Sequence, residues 1–228
     1  MSWSTSAPRY SYTVGQPPAY RASTSSTEIL HLAVAYVVLT FDLLLILGWP
    51  YFYTHDVLLY TAIAASAALT GFIAHEMAHK IVAQSSGYWA EFRLSPLGLV
   101  TSVIIAAATG FLFAAPGATM IGGMGNLRDW GRTSLAGPAV NFVFSLGFLA
   151  ASLVLGSYAS LSYAASVLLF LAFINAWFAA FNMIPFGPLD GAKVWRWSHQ
   201  IWVVAFVAFA VLAGALYYLI ASSGGLPF

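Results

Sequence analysis

The residues best suited to chemistry in this sequence form one string, His75-Glu76-Met77-Ala78-His79. On a helix, positions i and i+4 share a face, so His75 and His79 can grip one metal ion. Glu76 lies one residue round from that face, where it can reach a water beside the metal without being a ligand. The string closes a long apolar stretch, Val57 to Gln84, that is long enough to cross a bilayer. Ionisable groups in such a segment are costly and point to function. The chain has no cysteine, so a zinc site must draw its ligands from His, Asp or Glu, and no disulfide framework exists.

The elements that must position these residues are membrane helices. Of the 228 residues, 61% are hydrophobic and only 7% are charged, whereas a soluble domain carries about 25% charged residues. The composition therefore predicts an integral membrane protein. Trp49, Tyr51, Tyr53, Tyr88, Trp89, Trp195 and Trp197 stand at segment ends, as an aromatic belt would. The net charge of +1 says nothing about acidic partners, and no nucleic acid is expected. Residues 1–28 are rich in Ser, Thr, Tyr and Pro and lack the apolar core of a signal peptide. They are expected to form a flexible cytoplasmic tail, followed by a membrane-embedded domain over 29–222 and a short tail over 223–228.

Six apolar stretches are visible: Ile29 to Trp49, Val57 to Gln84, Leu97 to Ala115, Ser134 to Gly156, Ser162 to Ile184, and Ile201 to Ala221. The third differs from the rest. It follows Glu91-Phe92-Arg93-Leu94-Ser95-Pro96, which alternates polar and apolar like a strand, it is broken by Gly98 and Gly110, and it ends at Pro116-Gly117. The positive-inside rule decides its role. If all six stretches cross from an inner N-terminus, Arg9, Arg21, Lys80 and Arg93 lie inside, and Arg128, Arg132, Lys193 and Arg196 lie outside. If the third dips in and returns, all eight bases fall on the cytoplasmic side. The second arrangement fits the rule. It predicts an all-α polytopic membrane protein of five transmembrane helices with a re-entrant β-hairpin-like element between helices two and three. Irregular backbone at membrane depth needs cover from protein or water, so such an element points to a cavity.

Two His do not complete a catalytic zinc site, which takes three protein ligands and leaves a position open. The candidates for the third are Asp42, Asp56, Asp129, Asp190, Glu28, Glu91, His31, His55 and His199. With five crossings, Asp190 emerges on the same side as His75 and His79, after two prolines that break the preceding helix. It is the expected third ligand. Asp42, inside the first helix, is expected to make a local hydrogen bond.

His75-Glu76-x-x-His79, followed by Asn182-x-x-Pro185-x-x-Pro188-Leu189-Asp190-Gly191, resembles the site-2 protease family of intramembrane zinc metalloproteases. Ala136-Gly137-Pro138-x-x-Asn141 and Arg93-Leu94-Ser95-Pro96-Leu97-Gly98 resemble family patterns too. The resemblance covers about residues 57 to 195. It implies that His75, His79 and Asp190 bind one zinc ion per chain and that Glu76 is general base and then proton donor. It further implies that Asn182 helps hold the substrate backbone. Asn141 is a second candidate for substrate contact, with an interhelical hydrogen bond as its alternative. Family substrates are membrane-spanning helices cleaved in or near the bilayer, so a transmembrane protein and the lipid bilayer are the implied partners. The implied active site faces the cytoplasmic side of the cell membrane. Many relatives carry PDZ or CBS domains, which this chain lacks, and the compact form suits a prokaryotic membrane. Phe92 to Leu99 is a candidate to receive an extended substrate as an added strand. A metal-ion transporter and a catalytically silent membrane scaffold are the competing readings. The single compact constellation and absent repeat count against the first, and the intact Glu76 counts against the second.

Overall fold

The computed structural model describes residues 23–48, 57–112, 116–123 and 125–222. The expected tails over 1–22 and 223–228, together with Trp49, Tyr51, Tyr53 and His55, lie outside these residues. Eight helices and one two-stranded sheet are formed among the described residues: α1 (Ser26–Gly48), α2 (Val57–Ala68), α3 (Ala74–Ser85), β1 (Trp89–Leu94), α4 (Pro96–Thr109), β2 (Gly117–Gly122), α5 (Leu127–Gly156), α6 (Ser162–Asn182), α7 (Asp190–Trp197) and α8 (His199–Ser222). A π-helical turn, Leu69–Ile73, fuses α2 to α3, so Val57–Ser85 runs as one rod of 29 residues.

Five helical segments are long and apolar enough to cross a membrane: Ser26–Leu47, Val57–Ser85, Leu127–Gly156, Ala159–Asn182 and His199–Ser222. The chain is a multi-pass membrane protein. Leu58, Val143, Val204 and Val211 are among the large apolar side chains left exposed on these helices, as expected of surfaces facing lipid rather than water.

The third apolar stretch becomes α4, only 14 residues long. At about 1.5 Å per residue it reaches roughly two-thirds of the bilayer core. It starts with a Ser95 cap, whose hydroxyl accepts from Gly98 N, and Pro96 at the first helical position. It stops at Gly110, whose φ of 66° supplies the left-handed terminus. Where a β-hairpin-like element is expected, the chain forms strand, helix, strand: β1 and β2, separated in sequence by α4, pair antiparallel from Trp89 opposite Gly122 to Leu94 opposite Gly117. Gly117 is needed for this approach, because a Cβ there would lie 2.3 Å from Arg93 O.

β1 is fastened to the helices. Phe92 N donates to Glu28 Oε1 at 3.0 Å, Leu94 N to His31 Nδ1 at 3.4 Å, and Gln84 Nε2 donates to Ala90 O at 3.0 Å. Its outer edge is therefore occupied, and Phe92 to Leu99 is not the free edge expected from the sequence; from Pro96 onward it is already helix. Glu28, assigned above to the tail, is instead fully buried in α1 and pairs with Lys80 of α3. The Phe92 ring is also fully buried and meets Phe72 edge-on at 5.6 Å. Leu39 and Leu43 of α1, Ile63 of α2 and Phe178 of α6 belong to the same core.

Asp42 is fully buried, yet neither carboxylate oxygen has a hydrogen-bond partner among the described residues. The Ser102 hydroxyl lies within reach of the carboxylate, as a local partner would, but donates to Leu99 O.

Candidate metal centre

His75 and His79 lie one turn apart on α3 and are both buried. The π turn precedes them and leaves Gly71 O directed at α5, where it accepts from Asn141 Nδ2 at 2.8 Å. π turns widen a helix locally and recur at functional sites. Gly71 also lets α6 come close, since a Cβ would lie 2.8 Å from the Phe178 ring.

Asp190 opens α7. It reaches the histidines because α7 presses onto the end of α6: a Cβ on Gly191 would fall 2.1 Å from Met183 O. Asp190 Oδ2 stands 3.2 Å from His75 Nε2 and 3.0 Å from His79 Nε2, and the two Nε2 atoms are 3.0 Å apart. The sequence-predicted trio therefore forms one buried cluster whose possible ligand atoms all lie within 4.8 Å of one another.

The outer ring nitrogens define what this cluster can hold. Thr133 O can only accept, so His79 Nδ1, 2.7 Å away, carries the proton. Asn141 turns its amide nitrogen to Gly71 O, so its oxygen faces His75 Nδ1 at 2.7 Å, and that nitrogen also carries the proton. In their neutral form both rings then present bare Nε2 lone pairs toward a carboxylate oxygen. Three acceptors converge with no donor between them, an arrangement that a cation satisfies. Space for it is kept by Gly137 of α5, where a Cβ would stand 2.4 Å from His79 Nε2 and 2.6 Å from His75 Nε2. Two imidazoles and a carboxylate suit zinc.

The outer bonds extend inward. Asn141 Nδ2 also faces Asn175 Oδ1 at 3.3 Å, and Asn175 Nδ2 donates to Thr70 Oγ1 at 3.0 Å and Leu171 O at 2.9 Å. Burial alone would raise the pKa of Asp190. When the histidine pair carries a proton in place of a cation, His79 and His75 donate to Asp190 and, with the Lys193 ammonium 3.4 Å from Asp190 Oδ1, outweigh burial and hold the carboxyl well below the usual carboxylate range.

Glu76 lines the same cleft of about 380 Å³ as His75, His79 and Asp190. Its Oε2 accepts from Thr119 N at 2.9 Å and Thr119 Oγ1 at 2.7 Å. Asn182 also lines the cleft, but its Nδ2 donates to Phe178 O, one turn back on its own helix, at 3.0 Å. Asn141 is not in the cleft wall. It is fully buried behind His75, and its amide bonds His75, Gly71 and Asn175. Thr119, Thr133 and Asn175 were missed by sequence reasoning. A polar Asn175 inside an apolar helix was a readable signal; Thr133 acts through its carbonyl, which no side-chain pattern reveals.

The chain is 33% identical over 186 residues to MJ0611 of Methanocaldococcus jannaschii, an inferred zinc metalloprotease, and the match spans 79% of this chain and 89% of that protein. It is 30% identical over 129 residues to Rip3 of Mycobacterium tuberculosis, also an inferred zinc metalloprotease, with 56% of this chain and 28% of Rip3 covered. No family model matches the chain, and no solved structure does. The aligned region with MJ0611 takes in most of both proteins, and the buried trio has the donor set that such an enzyme requires. On these grounds the chain belongs to the zinc metalloprotease family of MJ0611.

Proposed function

We propose that this protein is an intramembrane zinc endopeptidase of the site-2 protease type, cleaving transmembrane segments with its active site toward the cytoplasm. The observation that carries this reading is the convergence of three buried acceptors, His75 Nε2, His79 Nε2 and Asp190 Oδ2, beside Glu76 in a cleft at one end of the spanning helices. All six described Lys and Arg residues lie in segments at that end: Lys80 on α3, Arg93 on β1, Arg128 and Arg132 on α5, Lys193 and Arg196 on α7. Such a bias supports a cytoplasmic placement.

Zinc held by the trio supplies Lewis acidity toward water and toward the scissile carbonyl. Glu76 accepts a proton from the attacking water as the C–O bond forms. It then delivers that proton to the amide nitrogen as the C–N bond breaks, and the second proton of the water passes from the new carboxyl to the amine, leaving a carboxylate and an ammonium group. Asn141 and Thr133 hold the two imidazoles in the tautomer that turns Nε2 inward. A substrate helix must unwind to expose its carbonyl, and an unwound segment needs new backbone partners. β2 offers them. Phe92 N points away from the sheet to Glu28, so its opposite number Thr119 points away on the other side, with Gly117 and Ile121 in phase. That edge lines the cleft.

The test is to purify the protein, measure bound zinc, and assay cleavage of a transmembrane substrate by wild type and Glu76→Gln. Zinc kept and cleavage reduced by at least about a hundredfold is the expected result. Cleavage unaffected by the substitution would sink the proposal. Metal transport that survives it would favour the transporter.

A further inference from the structure

Glu76, the proposed general base, is held by a residue of the sheet rather than left free in the cleft. Its Oε2 accepts from both the amide and the hydroxyl of Thr119, and the Thr119 hydroxyl also lies 3.2 Å from Glu76 O. Thr119 is at the middle of β2, opposite Phe92. An antiparallel ladder alternates residues that bond inward with residues that bond outward. The outward set on β2 is Gly117, Thr119 and Ile121. The outer edge of β1 is closed by Glu28, His31 and Gln84. A third strand therefore has one place to add, the outer edge of β2. Its central donor there, the Thr119 amide, is already bonded to Glu76.

We propose that Thr119 is a latch on the general base: the amide that holds Glu76 in the free protein is the amide an incoming extended substrate takes, so docking of the substrate and release of Glu76 are one event. This deepens the endopeptidase reading and rests on it. A carbonyl of the substrate replaces the Glu76 carboxylate at Thr119 N, and the carboxylate turns toward the cleft, with the Thr119 hydroxyl still within reach. No bond is made or broken other than hydrogen bonds. The consequence is that the base is withheld from water until a substrate strand is in register. Thr119 is on this view a positioning residue. A purely structural Thr119 would not make substrate binding depend on Glu76.

The experiment uses the full chain, zinc-loaded, in lipid nanodiscs. The probe is a fluorescent synthetic peptide with about 20 Leu and Ala residues interrupted by a central Asn-Gly-Gly that unwinds readily. Hydrogen–deuterium exchange of β2 and equilibrium binding of the probe are measured for wild type and Glu76→Ala. Without probe, Glu76→Ala is expected to exchange the Thr119 amide about tenfold faster, the scale of one lost bond to a charged acceptor. The same variant is expected to bind the probe about tenfold more tightly, because no carboxylate competes for the edge. Thr119→Val keeps the amide and loses the hydroxyl; it is expected to retain zinc and to bind the probe a few-fold more tightly, which guards against a misfolded Glu76→Ala. Equal exchange in wild type and Glu76→Ala, or equal affinity for the probe, overturns the latch. If the wild type still cleaves the probe in that case, the endopeptidase reading stands alone. If it neither binds nor cleaves, both fall.

Discussion

At the scale of single residues, the centre depends as much on what is absent as on what is present. Gly137 contributes no side chain, and a Cβ there would reach within 2.6 Å of both Nε2 atoms. Contacts under about 3 Å between such atoms are repulsive, so a methyl must displace either the rings or the ion. Gly137→Ala is expected to abolish stoichiometric zinc, read by elemental analysis of the purified protein, while the helical content by circular dichroism stays that of wild type. Gly147, on the same helix, has nothing within 4 Å of an added Cβ; Gly147→Ala is expected to leave zinc unchanged and to stabilise by up to about 1 kcal/mol. Full zinc occupancy in Gly137→Ala would mean the ion sits elsewhere. The trio His75, His79 and Asp190 could be read from the sequence because its elements are spacing and side, both of which a linear pattern carries. The role of Asn141 could not. A sequence places it in a motif, but only the folded chain shows its oxygen on His75 Nδ1 rather than in the cleft wall.

At the scale of elements, legibility follows the strength of the local signal. The long apolar runs gave the five spanning helices, and alternation over Glu91 to Pro96 gave β1. β2, with the sequence Gly-Ala-Thr-Met-Ile-Gly, was hidden: small residues and two glycines have no strand propensity, and the segment is a strand because β1 pairs with it. The start of α5 was also hidden. Arg128, Asp129 and Arg132 depress its hydropathy, although the Asn126 side chain caps it by accepting from Asp129 N. α1 carries an unexplained cost, Asp42, buried with neither oxygen in a well-formed hydrogen bond among the described residues. Leu has the same branched heavy-atom skeleton without the polarity. Replacing an unsatisfied buried polar group in this way is expected to stabilise by about 1–3 kcal/mol, seen as a higher unfolding midpoint of Asp42→Leu in detergent. A lower midpoint would show that the carboxylate has a partner when the protein is in a bilayer.

At the scale of the whole molecule, a centre built from these elements requires that α4 not cross. His75 and His79 near the end of one rod, Thr133 near the start of α5, and Asp190 beyond the end of α6 must share a side, and bonds between them require it: His79 Nδ1 to Thr133 O, and Tyr88 OH to Asp129 Oδ2. A crossing α4 would put Ser85 and Leu127 on opposite faces. The absence of cysteine makes the side of each position measurable with single introduced thiols on an unlabelled background. Ser85, Leu127 and Tyr158 are all exposed, at the end of α3, the start of α5 and just beyond its far end. With a membrane-impermeant maleimide on intact cells, Tyr158→Cys is expected to label while Ser85→Cys and Leu127→Cys do not, and inverted vesicles are expected to reverse all three. The pairing of Ser85 with Leu127 tests the number of crossings, and the identity of the labelled side tests orientation. Labelling of Leu127→Cys without Ser85→Cys from one face would require α4 to span, and would separate Asp190 from the histidines. Labelling of that pair together from outside would keep the centre intact and turn it to the opposite face of the membrane.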